Sequence, residues 1–119
     1  MRDGNLFDLA YDFERIFRNS EEYTRLKRLF KEVNTDPAAM QLFNKFNHLH
    51  IELLNKQMMG QKVMKQEIED FQKTQANVQQ NEKIVKLLEA DQHVNILITK
   101  LNKIITKPLE EIYGTPEGR

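Results

Sequence analysis

The sequence predicts an all-α fold: an elongated antiparallel bundle of about four to five helices with long third and last members. Three observations lead there. Leu, Lys, Glu and Gln, all good helix formers, dominate the middle of the chain. Only four glycines and three prolines punctuate 119 residues, and five of these seven lie within the first or last twelve. Apolar residues recur at steps of three and four, and no stretch alternates as a half-buried strand would. The length fits one domain over residues 1–119, with disorder expected at about 1–4 and 115–119.

The first helix is expected from about Leu6 to Arg18, because Leu6, Ala10, Phe13 and Phe17 share one face. Asn19 and Ser20 interrupt it. Ser20 is placed to cap a second helix, and Glu21 and Glu22 follow where the positive end of the dipole favours acids. Tyr23, Leu26, Phe30 and Val33 form the predicted buried stripe of that helix. The clearest boundary is Asn34-Thr35-Asp36-Pro37, in which Asp36 can cap and Pro37 fits the first helical position. A third helix then runs from Pro37 to about Met59 and stops at Gly60.

From Gly60 to Pro108 no breaker occurs, so the phase of the apolar residues carries the reading. Met64, Ile68, Phe71, Gln75 and Val78 form one seam; Ile84, Leu87, Asp91, Val94, Ile98, Leu101 and Ile105 form another, displaced by two residues. Two residues turn a helix by about 200°, which moves the stripe to the opposite side. The preferred reading is a chain reversal near Asn81, which can cap the next helix; the other is one long helix serving two partners. Pro108 ends the main run or starts one last turn, with Leu109 and Ile112 as a short apolar pair before Gly114.

A helix from Glu82 to Lys107 would be about 39 Å long, against a radius of gyration of about 13 to 14 Å for a compact domain of this size. Its inner stripe is widened by Leu88, Ala90, Leu97 and Ile104, and the third helix shows a similar surplus, with Leu42, Phe46, Leu49 and Leu53 broadened by Phe43, His50, Ile51, Leu54 and Met58. Two short helices cannot cover both stripes. The expected remedy is a homodimer or a dimer of dimers, with Phe46, His50, Leu53, Leu54, Leu87, Asp91, Val94, Ile98, Leu101 and Ile105 as candidate interface residues.

Composition narrows the chemistry. With no cysteine the chain has no disulfide, thiolate nucleophile or Cys-held metal or cluster. Acids near the start where a leader would need an apolar run, and no stretch of about 20 apolar residues, lead to the expectation of a cytoplasmic protein without a membrane span. Eighteen basic and 18 acidic side chains balance, which disfavours a dedicated nucleic-acid binder.

The polar residues that could carry chemistry read better as structure. His48 and His50 are two apart and so point to different sides of a helix, which prevents them from sharing one metal ion. His93 falls on the predicted outer face. Ser20, the lone serine, reads as a cap. Asp91 on an inner position reads as a partly exposed or salt-bridged residue, with helix register as its other role. Glu67, Glu69, Asp70, Glu110 and Glu111 show no pairing motif, and Gly60 stands alone where a phosphate loop would need several glycines. Met58, Met59 and Met64 read as packing a hairpin turn. Arg25, Lys27, Arg28 and Lys31 form one basic cluster; Lys100, Lys103 and Lys107 align on one face and form the other. Both read first as solvated surface and second as contacts to RNA phosphates. No catalytic, cofactor-binding or metal-ligating residue is expected.

The run Asn81-Glu82-Lys83-Ile84-Val85-Lys86-Leu87-Leu88-Glu89-Ala90, the tail Lys107-Pro108-Leu109-Glu110-Glu111-Ile112-Tyr113-Gly114 and the opening Leu6-Phe7-Asp8-Leu9-Ala10-Tyr11 resemble the YheA branch of the YlbF/YmcA family of small bacterial proteins. Ser20-Glu21-Glu22-Tyr23, Asp36-Pro37 and Gln57-Met58-Met59-Gly60-Gln61 extend the likeness over nearly the whole chain. The resemblance implies an all-helical oligomer of Firmicute-type bacteria. The YlbF and YmcA relatives act in a complex that influences ribonuclease Y processing, competence, biofilm formation and sporulation, and carry cysteines linked to iron–sulfur clusters. This chain has no cysteine, so the cluster is not carried over.

The functional expectation is a non-enzymatic, homo-oligomeric protein that presents helix faces to an unidentified protein partner. An RNA-associated accessory factor using Lys100, Lys103 and Lys107 is the alternative.

Overall fold

A computed structural model of the chain describes residues 5–114. Five helices follow one another: α1 (Leu6–Arg18), α2 (Glu21–Asn34), α3 (Pro37–Met58), α4 (Lys65–Gln79) and α5 (Glu82–Tyr113), with no strand among the described residues. The expected disorder at 1–4 and 115–119 lies outside those residues.

Local chemistry fixes the helix ends. Asn5, Ser20, Asp36 and Asn81 each accept a hydrogen bond from the backbone amide three residues on, at 3.0 to 3.2 Å, filling donors that a helix start leaves empty. Pro37 opens α3 at no cost, since the amide it lacks would have had no helical partner. At the far end of α3, Gln61 N–H donates to Lys56 O (2.8 Å) and Gly60 N–H to Gln57 O (3.3 Å). That pair of bonds needs a left-handed residue, which Gly60 supplies with φ of 69°.

The core is small. Leu29, Val33, Ala39, Val78, Ile84, Leu87 and Ala90 are buried where α2, α3, α4 and α5 converge. α2 and the first third of α5 lie side by side and antiparallel: Lys83 reaches Asp36 just after α2 ends, while Glu21, Glu22 and Arg25 at its start share a cleft with Ala90 and His93. α3 and α4 form a hairpin in which Phe46 stacks on Phe71 at 5.5 Å and Lys56 pairs with Glu67 near the turn.

The structure changes four expectations. In α2 Val33 is buried as expected, but its buried companion is Leu29, three residues after Leu26, whereas Phe30 is 47% exposed at the edge of the same stripe. In α4 the buried positions are Thr74 and Val78; Ile68 and Met64 are exposed because α3 covers only part of that seam. Thr74 tolerates burial because its hydroxyl donates to Asp70 O at 2.8 Å. α5 does not end at Lys107 but continues through Pro108 to Tyr113, giving a rod of 32 residues, about 48 Å long. Pro108 costs the helix one backbone bond, so this final stretch is held less firmly than the rest. Lastly, the break near Asn81 is present, yet α4 and α5 meet only around that corner and not along their length.

The outcome is a thin, open molecule of 57 × 39 × 19 Å with a radius of gyration of 19.2 Å, against about 13.5 Å for a compact domain of 119 residues. Three parts project from the core: α1, α5 beyond about Leu97, and the tip of the α3–α4 hairpin. α1 buries no residue and touches only α2, where Phe17 meets Tyr23 at 5.4 Å.

Candidate functional site

Two surfaces stand out. The first is an apolar groove of about 500 Å³ between α2, α3 and α5. Packing builds it: α2 turns Leu29 and Val33 into the core, which leaves Tyr23, Leu26 and Phe30 on the flank facing Phe43 of α3 and Leu88 of α5. Lys27, Asn47 and Asp91 stand around this floor, so one cation, one anion and one amide frame an otherwise apolar trough. Asp91 is exposed there and accepts a hydrogen bond from Asn95 at 3.1 Å. Such a lining suits an apolar side chain with a polar neighbour.

The second surface is the set of uncovered apolar faces on the projecting parts: Leu6, Leu9, Phe13 and Ile16 on α1; Ile98, Ile105 and Ile112 on α5; Ile51, Leu54 and Met58 on α3. Met58, Met59 and Met64 are exposed around the hairpin turn and do not fill it.

The ten candidate interface residues divide accordingly. Leu87 is 3% exposed, packed in the chain's own core at the floor of the groove. Phe46 is half-buried against Phe71, and His50 lies against both rings at 6.1 and 6.0 Å while remaining exposed. Leu53, Val94 and Leu101 are half-buried; Leu54, Asp91, Ile98 and Ile105 are exposed. They therefore do not form one patch: Phe46 to Leu54 belong to the hairpin, and Val94 to Ile105 to the α5 rod. The positions that periodicity missed are on α1, since its stripe reads like an ordinary inward-facing one and only the fold leaves it bare.

Titratable groups are placed for structure. Asp36 has its pKa lowered first by the hydrogen bond from the Ala39 amide and then by Lys83; Glu67 is lowered first by Lys56 and then by the Met64 amide. His48 sits 3.4 Å from Glu52 on the hairpin's outer side, and Ser20 is a cap that also donates to Phe17 O at 2.6 Å. Among the described residues no three His, Cys, Asp or Glu side chains cluster as metal ligands would. Lys100, Lys103 and Lys107 are exposed on α5, the first two beside Asp91, Asn95 and Thr99. Arg28 of the other basic cluster pairs with Glu32 at 4.0 Å. No described helix is long and apolar enough to cross a membrane.

Residues 6–110 match the family described as control of competence regulator ComK, YlbF/YmcA. The chain belongs to the YlbF/YmcA family. Within it the likeness runs to the YheA branch: a UPF0342 protein of Bacillus licheniformis is 53% identical over 114 residues, covering 96% of this chain and 97% of the relative. The UPF0342 protein YheA of Bacillus subtilis is 51% identical over 114 residues, with the same coverage. Two solved structures share the fold. A protein of unknown function (DUF964) from Bacillus stearothermophilus superposes with a TM-score of 0.80 at 36% identity, covering 93% of this chain and 97% of the other. YheA from Bacillus subtilis does so with a TM-score of 0.70 at 45% identity, covering 92% and 99%. The family description concerns control of the competence regulator ComK.

Proposed function

We propose that this YlbF/YmcA-family protein is a non-enzymatic interaction factor that works as a homo-oligomer and offers the α2–α3–α5 groove to a protein partner. The surface area carries the reading. The chain exposes 9687 Å², whereas a monomeric protein of 14.2 kDa exposes about 6,800 Å². Nine terminal residues outside the described span, counted at the unfolded-chain rate, hold at most about 1,600 Å². Well over 1,000 Å² of excess therefore belongs to the helices, in the range each copy contributes to an obligate dimer of about 2,000 to 5,000 Å². Exposed apolar side chains on α1, α3 and α5 belong to it, and exposed apolar patches mark interaction sites.

The test is sedimentation across a concentration range. A dimer or tetramer persisting at micromolar concentration supports the reading; a well-folded monomer there refutes it. A second arm addresses the groove: affinity capture with Phe30→Glu should lose any protein partner that the native chain retains, while the mass of the oligomer stays the same.

A further inference from the structure

α1 and the distal part of α5 leave the body at the same end. α2 runs antiparallel to the start of α5, so its first turn lies level with Ala90 and His93, and α1 is joined to it there through only Asn19 and Ser20. Beyond that level α5 continues for about another 20 residues. No part of α1 approaches α5, so two apolar rods diverge like the tines of a fork: α1, about 20 Å long, and residues 98–113, about 24 Å long.

The two rods carry matching patterns. Leu6, Leu9, Phe13 and Ile16 step by three, four and three; Ile98, Leu101, Ile105 and Pro108 step the same way, and Ile112 continues the series. Both stripes are broadened, by Ala10 and Phe17 on α1 and by Leu97, Ile104 and Leu109 on α5, which is the width for two neighbours rather than one. Most members of both are exposed, reaching 75% at Leu6 and 71% at Ile112.

We infer that a second copy of this chain occupies the fork: two copies meet end to end, and α1 of each lies along the distal α5 of the other, so that the four rods close into a four-helix bundle. This inference rests on the homo-oligomeric reading above and names its surfaces. With the copies opposed, α1 runs parallel to the neighbouring α5, which brings Phe13 level with the other copy's Ile105 and Leu6 with its Ile98. The excess area is in the range such a closure would remove from water, and a bundle with short rods and broad stripes is a stable way to remove it. The remaining bare surface, at the hairpin tip and in the groove, stays outside the closed bundle.

The absence of cysteine makes the test direct. Copies carrying Phe13→Cys are mixed with differently tagged copies carrying Ile105→Cys, exchanged, and oxidised. The expected result is a disulfide-linked mixed product severalfold more abundant than that from Phe13→Cys with Ile51→Cys, a control on the hairpin. In parallel, Ile105→Glu should convert the oligomer to monomer with its helical content retained, because that side chain is 69% exposed in the single chain. An oligomer that gives only Ile105–Ile105 linkage, or that survives Ile105→Glu, overturns the fork closure and leaves the homo-oligomeric reading standing. A native chain that sediments as a monomer overturns both.

Discussion

Lys83 donates to the Asp36 carboxylate at 3.0 Å, tying the first turn of α5 to the residue that caps α3. Asp36 thus does two jobs, because its other oxygen accepts from the Ala39 amide at 3.2 Å. Asp36→Asn keeps a capping oxygen and loses the ion pair; Asp36→Ala loses both. Melting temperature should fall in the order native, Asp36→Asn, Asp36→Ala, with the larger step at the alanine, because a cap is worth more than an exposed pair. Equal losses in the two variants would assign the work to the ion pair instead.

Acid should weaken the fold through Asp36 and Glu67. Both carboxyl groups titrate lower in the folded chain than in the unfolded one, so they hold fewer protons when folded. Their contribution is complete above the unfolded values of about 3.9 and 4.3 and disappears as pH falls through the lowered folded values. Urea midpoints should be flat near neutrality and drop below about pH 4, and the double variant Asp36→Asn, Glu67→Gln should drop less steeply. Because both groups are partly solvated, added salt should shrink the difference.

Two substitutions in the same small core should behave in opposite ways. Ile84 is fully buried, and Ile84→Ala should cost about 2 to 5 kcal/mol through lost burial and the cavity left behind. Thr74 is also buried, but its hydroxyl serves a carbonyl of its own helix, so Thr74→Val should stay within about 1 kcal/mol of native. Denaturant titration at fixed protein concentration reads both.

Most of the layout was legible in the sequence because caps and breakers are local: Ser20, Asp36-Pro37, Gly60 and Asn81 mark boundaries by their own chemistry, whereas the Asn5 cap of α1 was read only from the structure. Burial was less so. Leu29 and Phe30 flank one stripe, and which of them faces inward depends on where α5 crosses α2, a nonlocal fact. Leu87 and Ile105 lie on one seam of one helix, yet the first is core and the second bare, because α2 ends its contact between them. Pro108 left two readings open, a stop or one last turn, and the rod runs on through it to Tyr113, because a proline near a helix end removes one bond and need not stop the helix.

The RNA alternative predicts retention on RNA at low salt that falls steeply as salt rises and is lost in the variant with Lys100, Lys103 and Lys107 all changed to Glu. With 18 basic and 18 acidic groups interspersed, the expected outcome is no retention by either protein in a filter-binding assay. Salt-sensitive retention that the triple variant loses would replace the protein-partner reading.

A body only 19 Å thick has almost no inside, and under the proposed self-association that links the protein's survival to its own abundance. In the proposed oligomer much of the cohesion comes by mass action, so dilution would loosen each molecule and crowding by siblings would firm it. Cells making little of it would lose it faster to proteases per molecule than cells making much, which turns a gradual rise in synthesis into a sharper rise in working protein.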